Sequence, residues 1–149
     1  MVHDFKKFPE LTNAQMDLYY WQSPHKQITE DFTALVTAVH DGDTIKLKAS
    51  FRDFEFRLRF LNIAAKELSE IGGLTSKVWM ERRLLGKQVD IKINIFNRVD
   101  KWGRLLGYVH CDGQDVGEES QRIGINTSWE NRAEGMIIPP KFEELKAWA

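Results

Sequence analysis

Cysteine occurs once in this chain, at Cys111, so neither an internal disulfide nor a thiolate zinc site can be built. The four histidines come with no Cys/His cluster; His40 and His110 flank turns and read as strand-end residues, which argues against zinc. No apolar run is long enough to span a bilayer, so a membrane role is not expected. The segment Met1-Val-His-Asp-Phe-Lys-Lys7 is polar and lacks the apolar centre of a signal peptide; a cytoplasmic protein is the expectation. Excess charge is also missing. The formal net charge is −1, so nothing global attracts a polyanion, and a nucleic-acid function would require a local basic face. Repeats and low-complexity tracts are absent, and nothing in the chain fixes an oligomeric state.

What is present suits one folded unit. At 149 residues with 42% hydrophobic content, the chain can bury a single core. Residues 1–33 read as an N-terminal extension and residues 34–149 as the domain. Thr12 is a natural N-cap for a short helix ending at Ser23-Pro24, with Met16, Tyr19 and Tyr20 near one face. Aromatics at helical spacing point to an arm packed on the domain, with a nucleic-acid or partner contact as the alternative.

From Thr33 onward the pattern is of strands. Phe54, Phe56, Leu58 and Phe60 alternate with Glu55, Arg57 and Arg59, which gives a half-buried strand with charge on its second face. Gly72-Gly73 opens a helix over Leu74 to Leu85, with Val78, Leu84 and Leu85 expected in the core and Gly86 closing it. Gln88–Ile95 and Leu105–His110 read as strands, and Asp112-Gly113 as a turn. Val116–Ile123 reads as a helix ending at Gly124, and Lys141–Trp148, after Pro139-Pro140, as a short helix. Five strands with short connections do not suit repeated βαβ crossovers. A mainly β, α+β fold built on a five-stranded Greek-key barrel of the OB type fits.

The densest chemical signal is Asp41-Gly-Asp-Thr44 between two strands. Asp-Gly is an ordinary hairpin turn, yet two carboxylates at a strand start also suit a hard cation. Two further segments follow: Arg57-Leu-Arg-Phe-Leu-Asn-Ile-Ala-Ala-Lys-Glu67 and Arg98-Val-Asp-Lys-Trp-Gly-Arg-Leu-Leu-Gly-Tyr108. In this order and spacing, with Val116-Gly-Glu-Glu119 after them, they resemble the staphylococcal nuclease (thermonuclease) family over about Ala34 to Trp129. That family carries a DGDT turn, an arginine-bearing strand leading into an I-D-A-P-E loop, a D-K-Y-G-R segment and a V-N-E-E helix, on an OB-type barrel.

The resemblance implies a metal-dependent nuclease acting on DNA or RNA with low sequence specificity. It assigns Asp43 and the backbone carbonyl of Ala65 to a Ca²⁺ site, with Mg²⁺ or Mn²⁺ as alternatives. It assigns Arg59, Glu67 and Arg104 to catalysis, and Lys101 and Trp102 to the nucleotide. These residue types suit the chemistry. Charge builds on phosphoryl oxygens during in-line attack by water, and two guanidiniums are fixed, permanently charged donors for it. A carboxylate can position or deprotonate the water, and a tryptophan can stack on a base. Glu118 and Glu119 read as helix-start acids without a catalytic role.

The chain departs from the family pattern in one loop. Ala64 stands where the family has a metal-ligand Asp, and Lys66 where it has Pro. Ca²⁺ affinity depends on the number of anionic ligands, so an impaired nuclease is expected. The alternative is a catalytically degenerate barrel that binds nucleic acid or protein. A generic single-strand-binding OB domain without nuclease ancestry would predict no ordered Arg/Glu/Arg set.

Overall fold

The computed structural model describes residues 3–65 and 72–128. The expectations for Lys66, for Glu67 and for the helix over Lys141–Trp148 therefore lie outside the described residues. Eight strands are described: β1 (Phe32–Asp41), β2 (Thr44–Lys48), β3 (Phe56–Phe60), β4 (Ile63–Ala64), β5 (Gln88–Lys92), β6 (Leu105–Cys111), β7 (Gln114–Asp115) and β8 (Thr127–Ser128). Three α-helices accompany them, α1 (Asn13–Tyr19), α2 (Gly73–Leu84) and α3 (Val116–Arg122), and a 3-10 turn (Tyr20–Gln22) follows α1.

The main sheet runs β3-β2-β1-β5-β6, and β3 then pairs with β6 in parallel, closing a five-stranded barrel. The other barrel pairings are antiparallel. One parallel closure in an antiparallel barrel, with α2 in the long connection from β3 to β5, is consistent with the OB type. Long β1 makes closure possible. Its first half pairs with β5, its second half pairs with β2, and register shifts at Val36/Ala38 and Val39/Asp41 bend it between the two.

Alternation fills the core as expected. Phe56, Leu58 and Phe60 of β3 point inward with Val36, Ile45, Leu47 and Ile91. The face of α2 differs from the expectation. Gly73, Ser76, Met80 and Leu84 are buried, whereas Val78 and Leu85 are exposed. Spacings of three and four residues put Ser76, Met80 and Leu84 on one stripe; Val78 lies between its rows, and Leu85 has already left helical geometry at the cap. Gly86 closes the segment at φ +78° and donates its N–H to the Val36 carbonyl. None of the helices among the described residues is long and apolar enough to cross a membrane.

The N-terminal arm packs on the barrel, but its helix is not the anchor. α1 has the expected Thr12 cap, completed as a capping box by Gln15, yet buries no residue. The flanking segments do the anchoring, through buried Glu10, Leu11, Gln27 and Ile28. One Glu10 carboxylate oxygen accepts from Arg52 Nη2 at 2.5 Å. The other accepts from Arg98 Nη2 at 3.2 Å and from the Ile28 N–H at 3.0 Å. Arg98 also donates to the Ile28 and Leu11 carbonyls and to Asn13 Oδ1. The hub joins segments 42 and 88 residues apart in sequence.

Candidate nucleic-acid site

The Asp41-Gly-Asp43 turn is more than a hairpin end. Gly42 is buried under α2, and a Cβ added there would sit 1.9 Å from Ser76 Oγ. Its carbonyl accepts from Asn126 Nδ2 at 3.0 Å, and Asn126 Oδ1 accepts from Ser76 Oγ at 2.5 Å. Glycine is therefore required here by close approach, and the packing fixes where the two flanking carboxylates point. Asp41 Oδ1 accepts the Asp43 N–H at 3.0 Å.

Asp43 is almost fully buried and saturated with donors. Oδ2 accepts from Arg59 Nη2 at 3.1 Å and from the Ala65 N–H at 2.9 Å. Oδ1 accepts from the Thr44 hydroxyl at 3.0 Å. Burial, reinforced by neighbouring Asp41, nevertheless pushes the Asp43 carboxyl up to about 6; Arg59 and the Ala65 N–H pull the other way. Arg59 also donates Nη1 to the Phe60 carbonyl at 2.7 Å. Burial lowers the Arg59 pKa, Asp43 opposes that, and the charge of Arg104 adds to it.

The second arginine comes from another segment. The Lys101–Arg104 turn is organised by Asp100, which accepts from the backbone N–H groups of Trp102 and Arg104 and from Arg104 Nε at 2.6 Å. Trp102 is 56% exposed, with Arg104 Cζ 5.0 Å and Lys101 Nζ 4.6 Å from its ring centroid. Gly103 adopts φ +83°, and a Cβ there would meet the Phe8 ring at 2.8 Å. The N-terminal arm thus docks against the turn that carries Trp102 and Arg104.

Asp43, Arg59, Ala65, Trp102 and Arg104 line one cleft of about 690 Å³. Lys101 is outside this lining and touches the cleft only through Trp102. Glu67 lies outside the described residues. Three segments that the sequence placed in one site therefore meet across the β2–β3 face. The cleft lining contains seven Lys and Arg residues against four carboxylates. A chain of net charge −1 thus concentrates positive charge on one face.

A calcium centre is only half supplied. Asp41 and Asp43 offer hard oxygen ligands, but Ala64, which also lines the cleft, offers a methyl group. Both Asp43 oxygens already accept hydrogen bonds, and Ala65 faces Asp43 with its N–H. Among the described residues, no three His, Cys, Asp or Glu gather in a way that could hold a metal ion. Calcium takes six to eight oxygens, so the described residues do not fit a resident ion.

Several residues of the cleft lie outside the motifs of the sequence. Glu10 and Arg52 line the cleft from the arm and from the β2–β3 connection, and Lys6 and Lys7 stand on its rim. The Lys6-Lys7 pair was visible as a short basic step; nothing local announced Glu10 or Arg52. No model of a known protein family matches the chain.

Proposed function

We propose that the protein is a barrel of the staphylococcal nuclease type that binds DNA or RNA in this cleft and whose hydrolysis of the phosphodiester is impaired by Ala64. The observation that supports this most is the meeting of Asp43, Arg59 and Arg104, from three separate segments, in one positively charged cleft. Their order in the sequence is the one the resemblance requires, on a barrel of compatible topology.

In this reading Arg104 is the half-exposed cation that meets a phosphoryl oxygen. Its present partner is Asp100, and the Arg104 side chain stays 45% exposed in that pair. Arg59 is fixed from behind by Asp43 and the Phe60 carbonyl, so its charge is aimed before substrate arrives. Trp102 offers a ring face for a base. Glu67 is the residue that would position or deprotonate water.

A second reading, binding without cleavage, is favoured by the direct Arg59–Asp43 pair and by Ala64. An assay on single- and double-stranded DNA and on RNA with Ca²⁺, Mg²⁺ and Mn²⁺ separates the two. The nuclease reading expects slow cleavage that Arg59→Ala and Arg104→Ala abolish. Retained binding with no product under any cation would leave the binding module.

A further inference from the structure

We infer that the arm end of the cleft is a second phosphate subsite, formed by Lys6 and Lys7 over the buried Arg52–Glu10–Arg98 cluster, so that the protein holds a strand of several nucleotides and not one phosphodiester. The inference rests on the nucleic-acid reading above and extends it to substrate length.

Three observations converge. The cleft runs on past the Arg59 end. Phe56 and Arg59 both line it, and three residues of extended strand cover about 10 Å; the arm lies among the other walls. Next, the charge beneath the arm end does not cancel. Two guanidiniums share the single Glu10 carboxylate, leaving one surplus positive charge in a poorly screened interior. Arg52 side-chain exposure is 0%, and its Nε and Nη1 find no hydrogen-bond partner among the described residues. It therefore acts through its charge, while contact falls to the exposed lysines. Finally, the arm is held in place. Asp4 Oδ1 accepts the backbone N–H groups of Lys6 and Lys7 at 3.1 Å, and Phe8 packs against Gly103. The two ammonium groups are thus presented on a fixed turn beside the Trp102–Arg104 segment.

The test compares a thymidine dinucleotide, which spans one phosphodiester, with a single-stranded pentathymidylate. Affinities are read by competition against labelled pentamer across a salt series. Lys6→Gln/Lys7→Gln should weaken pentamer binding roughly tenfold and lower its salt slope by about one to two, leaving the dinucleotide unchanged. Lys87→Gln/Arg122→Gln, which removes two exposed charges outside the cleft lining, should leave the pentamer nearly unchanged. Arg104→Gln should weaken both ligands. If the lysine variant leaves the pentamer unchanged, or the control lowers it equally, the subsite is wrong, while the effect of Arg104→Gln still supports the main cleft. If the wild type binds neither ligand, the nucleic-acid reading fails and the subsite falls with it.

Discussion

Two buried carboxylates among the described residues meet arginines, and they are built differently. Glu10 takes two guanidiniums and a backbone N–H, one surplus cation remains, and the partners come from distant parts of the chain. Asp43 takes one guanidinium, sits beside a second carboxylate, and is held toward the neutral form near pH 6. The first arrangement joins segments distant in sequence. The second keeps a carboxylate under electrostatic tension at the wall of an open cleft. Buried ion pairs are weak evidence for stability in general, so the contrast lies in what each one connects. Glu10 fastens the arm, and Asp43 aims Arg59.

Removing each acid in turn should have the largest effect. Glu10→Ala strands two buried guanidiniums and should cost about 3–5 kcal/mol of unfolding free energy. Asp43→Asn, which keeps shape and most hydrogen bonding, should cost far less at pH 7. Urea denaturation of both variants decides it, and equal losses would erase the distinction.

A pH series sharpens it. The Asp43 carboxyl rises from 3.8 to about 6 on folding, so the native state binds the extra proton between those values. Stability from this group is therefore complete below about pH 4 and lost as pH rises to about 6. By linkage the loss is about 3 kcal/mol. The stability difference between Asp43→Asn and wild type, measured in chelator, should move in favour of the variant by that order from pH 4 to pH 7. A flat difference would show that Asp43 is not strained.

A smaller effect separates Arg104 from Lys101. Arg104 lines the cleft, whereas Lys101 only flanks Trp102. Arg104→Gln should weaken binding of a single strand about tenfold, or about 1.4 kcal/mol, and Lys101→Gln only a few-fold. Fluorescence titration at one fixed salt concentration gives both numbers, and the reverse order would move the phosphate contact onto Lys101.

The same contrast explains what was legible in the sequence. Phe56, Leu58 and Phe60 announced β3 because strand burial repeats every two residues, and the Asp41–Thr44, Arg59 and Arg104 segments were visible because each is a compact local pattern. The barrel closure follows from few, short connections. The face of α2 departs from the apolar pattern because Ser76, and not Val78 or Leu85, meets the Gly42 turn. Glu10 and Arg52 carry no local signal, and Arg98 opens the third segment without a role of its own, because their partners are distant in sequence. A charged residue in sequence reads as solvated until its partner is placed.

The proposed nuclease reading turns on the loop that carries Ala64, which lines the cleft without a side-chain oxygen. Ala64 lines the cleft next to Ala65, whose N–H already touches Asp43. Ala64→Asp, alone and with Lys66→Pro, should therefore add an anionic oxygen beside Asp41 and Asp43. The decisive measurement is the initial rate of single-stranded DNA cleavage in Ca²⁺ by parent and repaired protein, with calcium affinity measured in parallel. The account predicts at least a tenfold gain in rate, which needs only about 1.4 kcal/mol, tighter calcium binding, and loss of the gain on Glu67→Ala. A folded repaired protein that binds no calcium and cuts nothing, while the parent still binds the strand, would contradict it.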